Sequence, residues 1–188
     1  MAEDENNEDE KGFYEGERKN GLRHGYGTYY FYTGARYSGE WKKGLKHGKG
    51  KFVYPDGSEY DGEWWENKRH GQGRYIYRNG DSYDGMWSLD KRQGFGLYTD
   101  EARKFYYRGY FHNDQLNGNT FVQMNNIQYI GNFTNGKPDG TGTFTLPNGL
   151  QAKGEFKMHG AKRIPLWTTK SVAPAYTLYG KKAERDGP

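Results

Sequence analysis

Cysteine does not occur in the sequence, so neither a disulfide framework nor a thiolate metal site can hold this chain together. That usage fits a reducing intracellular compartment. Long hydrophobic runs are missing as well. No stretch approaches the roughly 18 apolar residues of a membrane-spanning helix, and the acidic N-terminus does not read as a signal peptide. A location in the cytoplasm, on the cytoskeleton, is therefore expected. Only 32% of the residues are hydrophobic, too few for the aliphatic core of an ordinary globular domain. A mean hydropathy of −1.21 would suit disorder, except that disordered chains are poor in aromatics.

What the chain has instead is 18 Tyr, 10 Phe, 5 Trp and 29 Gly. Aromatics and glycines without aliphatics point to strands and tight turns, in a thin, ordered, highly exposed β structure. Charge is unevenly placed. Residues 1–12 read as an acidic tail, expected to be disordered: Glu3, Asp4, Glu5, Glu8, Asp9 and Glu10 give residues 1–10 six carboxylates and no base, which leaves 28 basic against 18 acidic side chains, a net +10, from residue 11 onward. A basic body of this kind permits contact with acidic proteins, anionic lipids or nucleic acid, or simply keeps strand edges soluble.

Self-similarity organises residues 13–156 into about six and a half repeats. Tyr14, Tyr37, Tyr60 and Tyr83 open segments spaced 23 residues apart, Tyr107 and Tyr129 follow at 24 and 22, and Ala152 opens a half-unit. A glycine stands two positions after each opener: Gly16, Gly39, Gly62, Gly85, Gly109, Gly131 and Gly154. Paired glycines follow at Gly25/Gly27, Gly48/Gly50, Gly71/Gly73, Gly94/Gly96 and Gly140/Gly142.

Each unit reads as two strands and two turns. Period-2 alternation puts Tyr37, Gly39 and Trp41 on one face and Ser38 and Glu40 on the other. A turn is expected through His47-Gly48-Lys49-Gly50, after which Phe52 and Tyr54 return to the aromatic face. Pro55-Asp56-Gly57 and Asn79-Gly80 are strong turn signals, the latter for a tight hairpin. Repeats three and four supply Tyr60, Trp64, Tyr75, Tyr77, Tyr83 and Trp87 to the same face. The glycine between Tyr and Trp leaves a gap over which an aromatic ring can lie. Two strands per unit at about 4.8 Å each give a twisted ribbon on the order of 60–65 Å long. The fold class expected is all-β: an elongated single-layer antiparallel meander with no enclosed core, followed by an irregular C-terminal extension over residues 157–188.

The segments YEGE…GLRHGYG, YSGEWKKGLKHGKG and YDGEWWENKRHGQG resemble the MORN repeat (membrane occupation and recognition nexus) over about residues 14–156. The resemblance implies an antiparallel hairpin array used for protein interaction and scaffolding, in some members for lipid contact. An acidic N-terminus before YEGERKNGLRHG, three regular repeats, and degenerate later ones (YRGYFHNDQLNGN, YIGNFTNGKPDGTGTF) further resemble the radial spoke head family of the motile ciliary axoneme. That resemblance implies other radial spoke head and neck proteins as partners, with a second copy or another MORN subunit as a further one. The chain departs from that family in ending soon after its repeats without a long acidic tail, which leaves another ciliary or sperm MORN protein open.

Catalysis is not expected. His24, His47 and His70 recur once per repeat, roughly 9–10 Å apart, far beyond the reach of one metal ion. The HGxG glycines open no helix, as phosphate loops do, and Glu40 and Glu63 recur singly on a polar face. No cofactor is implied, and nucleic acid is not favoured because the rings are needed to pack on one another. The partner-binding surface expected is the aromatic face, Tyr37, Trp41, Phe52, Tyr54, Tyr60, Trp64, Tyr75, Tyr77, Tyr83 and Trp87, with the extension's anchors Ile164, Leu166, Trp167 and Tyr176. The alternative is a peripheral membrane adaptor in which Lys42, Lys43, Lys46, Lys49, Lys51, Lys68, Arg69 and Arg74 meet anionic phosphoinositides. Repeat four replaces its histidine with Gln93 and loses its turn glycine over residues 99–104, and repeat five has Thr120 for a glycine. A bend or bulge is expected near residues 99–106.

Overall fold

The computed structural model describes residues 12–160 and 164–174. The acidic residues 1–11 and Tyr176 lie outside them. Fourteen strands follow one another: β1 (Phe13–Lys19), β2 (Leu22–Tyr30), β3 (Arg36–Lys42), β4 (Leu45–Val53), β5 (Glu59–Trp65), β6 (Lys68–Ile76), β7 (Ser82–Ser88), β8 (Lys91–Asp100), β9 (Phe105–His112), β10 (Gln115–Met124), β11 (Ile127–Thr134), β12 (Lys137–Thr145), β13 (Leu150–His159) and β14 (Ile164–Pro174). They form one antiparallel sheet in sequence order. The chain is thus an open β-meander with no helix among the described residues.

The turns fall elsewhere than the glycine pairs suggest. Within each hairpin the reversal is a two-residue turn with both residues left-handed: Asn20-Gly21, Lys43-Gly44, Glu66-Asn67, Leu89-Asp90, Asn113-Asp114 and Asn135-Gly136. This is the turn whose twist matches that of the strands it joins. The sequence His47-Gly48-Lys49-Gly50, expected as a turn, instead lies inside β4. There β4 bulges: Gly39 pairs with Gly50 and Trp41 with Lys46, so three residues face the single Glu40. The Glu40 carboxylate caps the bulge by accepting the Lys49 N–H at 2.8 Å, as Glu17 does for Tyr26 and Glu63 for Gln72. Asn79-Gly80 also differs from expectation. It belongs to a three-residue loop in which Gly80 donates to the Tyr77 carbonyl and only Gly80 is left-handed.

One line of residues crosses the whole sheet. Gly16, Gly27, Gly39, Gly50, Gly62, Gly73, Gly85, Gly96 and Gly109 are successive cross-strand partners or neighbours, and Gly131, Gly142 and Gly154 continue the line beyond Thr120. Tyrosine rings lie along it. A methyl group on Gly50 would run into the Tyr37 phenol, and one on Gly39 into the Gly50 backbone. The covering ring comes from the same strand as the first glycine of each pair. Its hydroxyl donates to a nearby carbonyl: Tyr37 to Glu40, Tyr60 to Glu63 and Tyr83 to Met86.

Tryptophan stands edge-on between these flat tyrosines. Trp64 meets Tyr60 at 5.1 Å and Tyr37 at 5.3 Å, and Trp87 meets Tyr83 at 5.2 Å and Tyr60 at 5.4 Å, all near perpendicular. Such pairs contribute about 0.5–1.5 kcal/mol each beyond their burial. The indole N–H then reaches back one repeat: Trp41 donates to the Gly27 carbonyl, Trp64 to Gly50 and Trp87 to Gly73. Tyr37, Tyr60 and Tyr83 retain 0% exposure. The expectation of no enclosed core is therefore corrected: rings laid flat on glycine and rings stood on edge enclose one another without a second layer.

Two further expectations are corrected. Strands β8 and β9 pair without a slip from Gly94/Phe111 to Asp100/Phe105. Their closing turn is held by the Asp100 carboxylate, which accepts from the Arg103 backbone and guanidinium at 2.8 and 2.7 Å. The irregularity lies instead between β9 and β10, where pairing jumps from Asn117/Tyr110 to Phe121/Arg108. The fully buried Thr120 fills the space over Gly109 there, and Tyr107 stacks on Tyr98 instead. Nor is the extension irregular over its described residues. Strand β14 pairs along β13, and Trp167 takes a tyrosine's place over Gly154.

Two outcomes are expected. Gly73→Ala puts a methyl group where the Tyr60 ring lies and is expected to destabilise the fold by about 3 kcal/mol, whereas Lys49→Ala is expected to be near neutral; urea denaturation reads both. Burial raises the phenols of Tyr37, Tyr60 and Tyr83 and pushes Tyr54 and Tyr129 up to about 12. A raised tyrosine stabilises the fold fully below the unfolded value of 10.0, and that contribution falls away as pH climbs toward the folded one. Stability is thus expected to fall between pH 10 and 12, by about 1.4 kcal/mol per pH unit for each such group. Ultraviolet titration with circular dichroism checks this; buried phenols ionising at the ordinary value in the intact fold would contradict it.

Candidate functional site

One position carries a cation in each of the first four repeats: Arg23, opposite Arg18, and then Lys46, Arg69 and Arg92, opposite Trp41, Trp64 and Trp87. Each lies over the rings beside it. Arg23 sits 4.7 Å from the Trp41 ring, Lys46 4.7 Å from Phe52 and 4.9 Å from Trp64, Arg69 4.4 Å from Trp87, and Arg92 5.0 Å from Phe111. The next turn along the chain anchors the three arginines. The Arg23 guanidinium donates to the Gly44 carbonyl, Arg69 to the carboxylate and carbonyl of Asp90, and Arg92 to those of Asp114. Burial opposes ionisation of Asp90, but the hydrogen bonds from Arg69 outweigh it and hold the carboxyl below its usual range.

The cover stops after repeat four. The same position becomes Leu116 in repeat five and Pro138 in repeat six, opposite Phe111 and Phe133 where repeats two to four have tryptophan. Two changes coincide: the cation is gone and the ring beneath it is smaller. The edge-to-face series ends at Phe111, 5.0 Å from Tyr83. A second cluster, Tyr129, Phe144, Phe156 and Trp167, begins beyond it. Among the described residues no ring contact bridges Phe111 and Tyr129. In that interval lies a groove of about 410 Å³ lined by Phe105, Tyr107, Phe111, Leu116, Val122, Met124, Tyr129, Phe133, Pro138, Phe144 and Phe156. Its wall is almost wholly apolar, and the Tyr129 hydroxyl is buried without a hydrogen-bond partner.

The residues expected to bind a partner land in two settings. Tyr37, Trp41, Phe52, Tyr60, Trp64, Tyr83 and Trp87 are core residues, with Tyr54, Tyr75 and Tyr77 packed against them. They support the face and offer little of its free surface. Trp167 lies on the same face, half-buried, while Ile164 and Leu166 are exposed on the other. The groove residues Leu116, Val122, Met124 and Phe133 escaped the sequence reading. The signal that exposes them is the column Arg23, Lys46, Arg69, Arg92, which turns apolar at Leu116.

The opposite face changes in the same region. Three positions of the repeat there, held by Glu40 and Glu63, by Lys49 and by Lys51, are filled in repeats four and five by Met86 and Tyr110, by Phe95 and by Leu97, all exposed. The basic residues divide between the faces. Lys46 and Arg69 cover aromatic rings, Lys51 pairs with Glu59 at 2.6 Å, and Lys68 with Asp90 at 3.3 Å. His24 serves the next turn: its Nδ1 accepts from the Lys43 N–H at 3.5 Å, and Gln93 and Asn117 accept in the same way from Asn113 and Asn135. Among the described residues no group of three or more His, Asp or Glu could hold a metal ion.

Comparison with known proteins follows the same register. No curated protein matches the chain in sequence. Two solved structures are similar at 18% identity: the TCP domain of Drosophila melanogaster SAS-4 in complex with a proline-rich motif of Ana2, over 65% of this chain and 73% of that one with a TM-score of 0.42, and the TCP10c domain of Sas-4 from the same organism, over 65% and 80% with 0.39. The MORN repeat profile matches residues 14–36, 37–59, 60–82, 83–101, 107–119 and 129–151. The short fifth match ends just before Thr120, where the glycine line is broken. Six matched repeats spanning most of the sheet make this chain a member of the MORN-repeat family, a non-enzymatic scaffold.

Proposed function

We propose that the chain is a structural scaffold subunit of the radial spoke head in motile cilia, and that it holds a neighbouring spoke head or neck subunit in the groove over repeats five and six. The groove carries the reading. It is the stretch of the aromatic face beyond Arg92, where Leu116 and Pro138 stand in place of the cation of the earlier repeats, and apolar surface left open in this way marks a contact site. The first four repeats act as the rigid support, with their rings engaged by one another and by the basic column. The ciliary assignment rests on the order of acidic segment, three regular repeats and degenerate later ones, which resembles radial spoke head protein 1. A phosphoinositide-binding adaptor draws less support, because Lys46, Lys51, Lys68 and Arg69 already engage rings or carboxylates of their own sheet.

Tagged protein purified from ciliated cells is expected to bring radial spoke subunits with it. Val122→Glu and Met124→Glu, both at partly exposed groove positions, are expected to weaken that capture by about tenfold or more, the effect of losing an interface anchor, with circular dichroism unchanged. Equal capture by the variants would remove the groove as the site. Recovery of membrane proteins or lipid kinases in place of spoke subunits would remove the ciliary assignment while leaving the groove to be tested against them.

A further inference from the structure

The two edges of the sheet are built differently. Strand β1 is seven residues long, carries Glu15, Glu17, Arg18 and Lys19, and slips register between Gly16 and Arg18. Charge and a bulge are the usual guards against edge-to-edge pairing. Strand β14 is eleven residues long with one charged residue, Lys170, and that side chain is drawn onto its own sheet by Glu155 at 2.8 Å. Its Ile164, Leu166 and Val172 are at least half exposed. Among the described strands it pairs with β13 alone, so a row of backbone donors and acceptors faces outward, and an extended strand is the structure that satisfies such a row.

The aromatic rung at this edge is also incomplete. Trp64 and Trp87 each stand between two tyrosines, one on either side. Trp167 has Tyr129, Phe144 and Phe156 on its inner side and no ring on the outer one among the described residues. We infer that β14 pairs antiparallel with β14 of a second copy, so that the two Trp167 rings complete each other's rung. Residues directly opposite in an antiparallel pair share a face. The register that sets Trp167 opposite its own copy brings both aromatic faces to the same side, with Leu166 opposite Thr168 of the second copy. Pro165, which has no N–H to give, and the register slip at Lys170 confine the regular ladder to residues 165–169. A two-fold pairing through one edge, with the other edge guarded, closes at a dimer and does not propagate as a filament. The groove takes no part in it.

Sedimentation velocity of the full chain across a concentration series tests the proposal. The expected result is a reversible shift from the 21.8 kDa monomer to twice that mass. The double variant Leu166→Lys/Thr168→Lys sets like charges opposite one another and is expected to remain monomeric, as is Leu166→Glu/Thr168→Glu. Mixing the two variants is expected to restore the dimer, which separates lost pairing from lost folding. Met124→Glu is expected to dimerise as the unaltered chain does. A chain that stays monomeric at every concentration overturns the inference, and so does a dimer that persists in either double variant alone.

Discussion

A tyrosine ring lying flat across two glycines is the contact on which the rest of this structure depends. A single sheet has no second layer to bury its apolar face, and most domains solve that problem by adding one. Here the backbone itself becomes the floor. With no Cβ on Gly39 or Gly50, the Tyr37 ring settles onto the sheet and its hydroxyl reaches the Glu40 carbonyl. A flat ring leaves room for a tryptophan on edge, and the tryptophan in turn finds a carbonyl of the previous glycine at about the height of its indole N–H. The glutamate that follows the glycine falls on the other face, where it caps the bulge. Residues at five positions of the repeat are thus explained by one geometric fact.

Where that fact fails, the lattice opens. Thr120 stands in the glycine line and its side chain occupies the tyrosine's place, so Tyr107 turns to Tyr98. The Phe111 side chain has no N–H to donate, and among the described residues the indole-to-glycine link that ties Trp87 to Gly73 has no counterpart beyond it. Leu116 and Pro138 remove the cationic cover. These changes fall within repeats five and six and together shape the groove. A sequence that obeys a rule through four repeats and breaks it at several linked positions marks the place where packing alone does not determine the residues.

The period, the antiparallel sheet and the division of faces were legible in the sequence, because spacing and alternation report directly on backbone geometry. The turns were not. Paired glycines read as turn punctuation, yet His47-Gly48-Lys49-Gly50 needs them for a bulge and for the tyrosine floor. The actual turns include Glu66-Asn67 and Leu89-Asp90, which carry no glycine, and leucine is no turn residue by preference. Strand β14 was missed because it has neither the opener nor the glycine pair; only the alternation of Leu166 and Thr168 with Trp167 and Thr169 marks it. The groove was hidden for a different reason. It arises from what a column of side chains ceases to do, and that column has meaning only once Arg69 is seen lying on Trp87.

The basic excess takes on a different sense in this light. As bare composition it suggests attraction to anionic partners. In the folded chain Arg23, Lys46, Arg69 and Arg92 act inward, as lids over their own rings, and two of them are held by the aspartate of the following turn. Every such link joins a repeat to its neighbour, so cohesion along the sheet is a sum of adjacent couplings, as in other repeat arrays. Those couplings are dense up to Arg92 and sparse after it. The groove therefore begins where these cationic links end. A partner seated over Leu116 and Phe133 would supply the cover that the cations provide in the first four repeats.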